Sequence, residues 1–151
     1  SSVMVRVGAG DNLTRGLSTF MAEMVEMASI LRGADRHTLV IIDELGRGTS
    51  TSEGFGLAWA VSRHLATTAQ PWALFATHFH ELAALAREHP DVMVNLRVDA
   101  VIEGTGDSTS GNTTNSRRQR LVLLYRVVEG AADRSFGIEC AQMAGFPERV
   151  L

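Results

Sequence analysis

Apolar and polar positions divide this chain into alternating strands and helices. Val3, Val5 and Val7 alternate with Met4 and Arg6, the two-residue period of a strand, which ends at Gly8-Ala-Gly-Asp11. Phe20, Met21, Met24, Val25, Ala28 and Leu31 recur at helical spacing, so an amphipathic helix buried along that stripe is expected, with Ser18 or Thr19 as its N-cap. Leu39-Val-Ile-Ile42 is an unbroken apolar run and predicts a short strand buried on both faces, as in a parallel sheet. A second helix is expected from about Glu53 to Thr67, capped by Ser52, with Phe55, Leu57, Ala58, Val61 and Leu65 inward and Trp59 in the core. Trp72 to Thr77 predicts another short buried strand, and Phe79 to Glu88 a third helix halted by Pro90. Val92, Val94, Leu96, Val98 and Val101 alternate, Leu121 to Val128 forms a matching run, and the two are expected to pair as a hairpin. Ser135 to Ala144 predicts a last helix with Gly145 as C-cap. The strand–helix–strand order calls for right-handed crossovers, hence an α/β fold with a mainly parallel sheet flanked by helices and an added β-hairpin.

The segment 103–119 stands apart. From Gly104 to Arg118 it offers no hydrophobic side chain to offset its ordering entropy, and it reads as a disordered insertion in the hairpin.

Composition narrows the picture. With 151 residues, 45% hydrophobic, the chain suits one globular unit with a core, and its net charge of −3 argues against a nucleic-acid-binding surface. Cys140 is the single cysteine, so no internal disulfide is possible. No run approaches the ~20 apolar residues of a membrane span, and nothing resembles a secretory leader. All 14 basic residues are arginine. The phosphate-gripping Gly-x-x-x-x-Gly-Lys-Ser/Thr loop is therefore excluded, because its lysine is missing. Ser1 and Leu151 read as cut ends of something longer.

Candidate chemistry gathers after the Leu39–Ile42 run, which ends in Asp43 and Glu44. Carboxylates at the C-terminal end of a buried parallel strand are costly to desolvate unless they hold a cation or do chemistry, and α/β folds bind ligands at that edge. Adjacent acids can also simply cap a following helix. Gly46-Arg-Gly48 and Thr49-Ser-Thr51 favour a tight, donor-rich loop instead. The pattern matches the Walker B element of a P-loop ATPase, in which the first carboxylate holds Mg²⁺ and the second positions or deprotonates the attacking water. Those roles fall to Asp43 and Glu44. Ser18 is either a plain cap or part of an anion site, since Met21 and Ala22 stand where a capping box needs Glu or Gln. His78 follows the third strand at the same sheet edge, where an imidazole can bond a γ-phosphate or its water. His78-Phe-His80 lacks the further Cys or His that a zinc site requires.

Asp43-Glu-Leu-Gly46-Arg-Gly48-Thr-Ser50 resembles the Walker B and D-loop of the MutS family of DNA mismatch repair ATPases, in the ABC ATPase superfamily. Ser18-Thr-Phe-Met-Ala-Glu-Met24 resembles that family's signature motif, and Ala76-Thr-His-Phe-His-Glu-Leu82 its H-loop. Ser135-Phe-Gly-Ile138 resembles the segment leading to its C-terminal helices, and Phe55-Gly-Leu-Ala-Trp-Ala60 is most similar to a eukaryotic, heterodimer-forming branch. The resemblance implies a P-loop NTPase of ABC type, present in part over residues 1–151. It implies ATP and Mg²⁺ as cofactors, Asp43 for the metal, and Glu44 and His78 as catalytic groups. Gly46, Gly48 and Thr49 would form the D-loop. Ser18 and Thr19 would meet the nucleotide of the opposite subunit. Implied partners are a second MutS-family subunit, mismatched double-stranded DNA through domains outside this chain, and a MutL-type protein, in a nuclear setting without a membrane. In the intact protein ATP hydrolysis would control mismatch recognition and a sliding clamp, whereas residues 1–151 alone are expected to be inactive. Another ABC-like DNA-maintenance ATPase should show a Leu-Ser-Gly-Gly signature, which is absent. A non-catalytic dimerisation module remains the alternative for the isolated chain.

Overall fold

The computed structural model describes residues 1–7, 19–104, 119–132 and 135–151; side chains at 103, 104, 119 and 120 are not described. The chain forms two units, Ser1–Met93 and Val94–Leu151.

In the first unit, β1 (Ser2–Arg6), β2 (Thr38–Asp43) and β3 (Trp72–Ala76) form a parallel sheet in that order. Helix α1 (Thr19–Gly33) connects β1 to β2, and α2 (Thr51–His64) leads through a wider π-type turn at Leu65–Ala69 to β3. Both crossovers step the same way across the sheet, so chirality puts both helices on one face. Their shared core contains Met27 and Ile30 of α1, Val40 and Ile42 of β2, Val61 of α2, and Leu65. Each such aliphatic side chain fully withdrawn from water contributes about 1.5–3 kcal/mol. A second cluster joins Ala58 of α2 to Phe79, Leu82 and Leu85, with Phe55 and Trp59 packed against it. A 3-10 turn at His80–Leu82 precedes α3 (Ala83–Glu88), so the expected third helix starts later than its pattern suggests.

Among the described residues of the first unit, no helix covers the opposite sheet face. Register aligns Val3, Leu39 and Trp72 in one row and Val5, Ile41 and Leu74 in the next. Trp72 is 78% exposed and Val3 65%. The expectation that β3 is buried is therefore corrected. β2 likewise alternates, with Thr38, Val40 and Ile42 buried and Leu39, Ile41 and Asp43 half-buried. Only one face of this sheet is covered by helices among the described residues, and β3 lies at its edge.

Helix α1 buries a different stripe from the one its apolar residues suggest. Glu23, Met27 and Ile30 face inward, while Met21 and Val25 are about half exposed. The Glu23 carboxylate has partners inside, and that decides the rotation. The cap of α2 is Ser50, whose hydroxyl accepts from the Glu53 amide, and not Ser52. Ser50-x-x-Glu53 is itself a capping-box spacing.

In the second unit, β4 (Leu96–Gly104) and β5 (Gln119–Glu129) pair antiparallel, as the alternation predicts. The ladder reaches Gly104 and Gln119, and residues 105–118 of the expected insertion lie outside the described residues. Val98 pairs with Val127 but Ala100 with Leu123, so β5 carries two extra residues at a bulge, where Tyr125 has φ of 51°. Arg126 closes the bulge onto Asp99 at 2.6 Å and holds that carboxyl below its ordinary pKa. Helix α4 (Gly137–Met143) follows, with Gly145 in the left-handed region just past its end.

Candidate functional site

Strand β2 delivers Asp43 at the C-terminal edge of the parallel sheet, opposite Ala76 of β3. Asp43 is half-buried, and no hydrogen bond or ion pair engages its carboxylate among the described residues. Glu44 turns the chain in the left-handed region, with φ of 52°, while its amide donates to the Ala76 carbonyl at 3.0 Å. This bond extends the β2–β3 ladder by one step beyond the last paired residue. His78, two residues past Ala76, is thereby set at the same edge; it is exposed, with its ring 4.2 Å from that of Phe79.

The loop after Glu44 is held on two sides. Gly46 has φ of 87°, and a Cβ there would lie 2.7 Å from the Gly54 Cα of α2. A Cβ on Gly54 would lie 2.3 Å from the Gly46 carbonyl oxygen, so both positions need glycine. On the other side, a Cβ on Gly48 would be 3.3 Å from the Phe20 Cβ, so the loop lies against the first turn of α1. Thr19, the first residue of α1, is exposed. Ser18 lies outside the described residues.

Two charged residues that the sequence pattern did not single out complete the arrangement. Glu23 is 4% exposed, and its Oε1 accepts the Gly46 amide at 3.0 Å. Arg6, at the end of β1, places Nη2 3.7 Å from the same oxygen and Nε 3.1 Å from Glu26 Oε2. The available signal was a glutamate spaced three residues after Phe20 and four before Met27, on what is otherwise an apolar stripe.

Glu44 Oε2 meets Arg47 Nη1 at 2.6 Å, in a pair that is largely exposed. Such surface pairs contribute about 0–1 kcal/mol, so Arg47 does not lock the carboxylate in place. Thr49 donates its hydroxyl to Glu53 Oε2 at 2.6 Å. That bond, followed by one with Ser50, holds the Glu53 carboxyl below its ordinary pKa. A depressed carboxyl favours folding above its unfolded pKa, and the gain is lost as pH falls through the lower folded value. Thr49→Ala should therefore raise the Glu53 pKa toward the ordinary glutamate value and move loosening of the α2 cap to higher pH. NMR titration of the Glu53 carboxyl carbon checks this; an unmoved midpoint would count against the Thr49 contact.

Among the described residues no three His, Cys, Asp or Glu side chains converge on a metal position. The single hard-oxygen donor of Asp43 instead suits Mg²⁺, which keeps water and substrate phosphates for most of its ligands. No helix among the described residues is long and apolar enough to cross a membrane.

Comparison with known proteins identifies the family of the chain. The family model of MutS domain V matches residues 1–151. DNA mismatch repair protein msh-2 of Neurospora crassa is 51% identical over 154 residues, covering 99% of this chain and 16% of that protein. DNA mismatch repair protein MSH2 of Arabidopsis thaliana is 51% identical over 155 residues, covering 99% and 15%. DNA mismatch repair protein MutS of Anaeromyxobacter dehalogenans is 49% identical over 149 residues, again 99% and 15%. The chain thus spans about one sixth of the length of these relatives. With a family match across its whole length and half of its residues shared with these proteins, the chain belongs to the MutS family and matches its domain V.

Proposed function

We propose that this chain is the carboxylate-bearing part of a P-loop ATPase domain of ABC type, in a DNA mismatch repair protein that hydrolyses ATP as a dimer. The observation that carries the proposal is the sheet edge: Asp43 without a protein partner among the described residues, Glu44 turned beside it, and His78 following β3. Asp43 would hold Mg²⁺, which would supply charge compensation for the phosphoryl group. Glu44 orients the attacking water and accepts its proton. His78 bonds the γ-phosphate or that water, and so distinguishes ATP from ADP. Thr19, with Ser18, addresses the nucleotide of the opposite subunit from the start of α1. Gly46, Gly48 and Thr49 form the loop between the two sites.

The phosphate-gripping lysine comes from another segment of the protein, since this chain has none. The partner is a second MutS-family subunit, in a nuclear heterodimer. Mismatched DNA is bound by other domains, and nucleotide state switches them between search and sliding and signals to a MutL-type protein. The relatives' names support the mismatch-repair setting.

Turnover tests the proposal. The intact protein is expected to hydrolyse ATP only with Mg²⁺, and residues 1–151 alone are expected not to. Steady hydrolysis by the isolated residues would overturn the divided site. An intact dimer without any Mg²⁺-dependent hydrolysis would overturn the ATPase assignment.

A further inference from the structure

The most enclosed charge among the described residues of the first unit is a carboxylate for which the proposed ATPase chemistry has no direct use. Glu23 lies one turn into α1, is 4% exposed, and accepts the Gly46 amide at 3.0 Å. Burying a carboxylate is expensive unless charge and hydrogen bonds compensate it. Here Arg6 from β1 supplies the charge, and the loop amide supplies the bond. Gly46 cannot retreat the other way, because it already abuts the Gly54 backbone. The loop behind Asp43 and Glu44 is thus pinned between α2 and a buried acid on α1, while Gly48 rests on Phe20 in the first turn of α1.

We propose that Glu23 is a positioning residue that makes the first turn of α1 and the Glu44–Gly48 loop move as one body. The proposal rests on the reading of Thr19 and Glu44 given above. Under that reading, α1 begins at the nucleotide of one site while Glu44 serves the other. A displacement of α1 by the partner's ATP is transmitted to the water-activating carboxylate through the Glu23–Gly46 bond, without a contact between Glu23 and nucleotide. The acceptor oxygen performs this role; the charge serves to keep Glu23 and Arg6 buried together.

Two near-isosteric variants of the intact dimeric protein separate these features. Glu23→Gln keeps an oxygen acceptor at the same reach, and Glu23→Met removes it. Small misplacement of a catalytic group can reduce rate by up to about a hundredfold, so Glu23→Met is expected to slow single-turnover hydrolysis of Mg²⁺-ATP on that scale. Its affinity for a slowly hydrolysed ATP analogue should stay near wild type, and Glu23→Gln should recover most of the rate. Hydrogen exchange at the Gly46 amide should accelerate in the Met variant and stay protected in the Gln variant.

Wild-type turnover in Glu23→Met, or a Gln variant as slow as the Met variant, would overturn the proposal. If Glu23→Met does not fold, Glu23→Gln decides alone: near-wild-type turnover with a protected Gly46 amide supports the role, and slow turnover or an unprotected amide refutes it. Glu44→Gln run alongside separates the two levels. Undiminished hydrolysis in Glu44→Gln defeats the assignment of the water-activating group, whereas Gly46 exchange still reports on Glu23 independently.

Discussion

Glu44→Gln in the intact protein is expected to slow ATP hydrolysis by about 10²–10⁴-fold, the range spanned by loss of a general base, while ATP binding remains near wild type. The two effects separate because different groups are involved. Gln matches Glu in size and retains the backbone amide that bonds Ala76, so the turn at the end of β2 persists. In the proposed assignment the metal-holding role belongs to Asp43, whose carboxylate the substitution leaves untouched. Losing the exposed Arg47 pair removes at most about 1 kcal/mol. What disappears is the ability to accept a proton. Equilibrium nucleotide binding and a single-turnover assay check the split, and a parallel loss of affinity and rate would make Glu44 a structural residue.

Gly54→Ala and Gly56→Ala, two residues apart in α2, are expected to act in opposite directions. Alanine in a helix interior is favoured over glycine by about 0.8–1.0 kcal/mol. At Gly56 nothing lies within 4 Å of the added Cβ, so that gain should appear as stabilisation. At Gly54 the new carbon would sit 2.3 Å from the Gly46 carbonyl oxygen and 3.2 Å from Phe79 Cζ. Overpacking costs about 1–3 kcal/mol, and an obstacle made of backbone cannot swing aside, so strain outweighs propensity. Since the displaced backbone is Gly46, hydrolysis should fall with stability in Gly54→Ala. Hydrogen exchange across α2 reads the stability of each variant locally. Equal protection in both would mean that the Gly46–Gly54 approach is looser than described.

The elements most legible in the sequence were those with one dominant local signal. Leu39–Ile42 followed by two acids announced β2 and its edge, and matched alternation announced the hairpin. Other features were not legible, for distinct reasons. The rotation of α1 depends on Glu23 finding Arg6 and Gly46, which are 17 and 23 residues away in sequence, and hydropathy treats a paired acid as a solvated one. The exposure of β3 depends on what covers the second sheet face, and a run of apolar residues does not encode that. The α2 cap sat two residues earlier than expected, because a row of hydroxyls from Thr49 to Ser52 offers several candidates and only backbone geometry selects Ser50. Within the site, the placement of Asp43, Glu44 and His78 at one edge follows from parallel register, a topological consequence the sequence already carried. The pinning of the loop does not.

The left-handed turn at Glu44 bears on how the domain can change over time. A non-glycine residue held there stores about 1–3 kcal/mol of backbone strain that glycine would relieve. Selection for heat resistance alone would therefore drift toward Gly or Asn at position 44, producing sturdier molecules that, under the role proposed for Glu44, no longer turn over fuel. Under the role proposed for Glu44, chemistry and robustness make opposite demands on this one position.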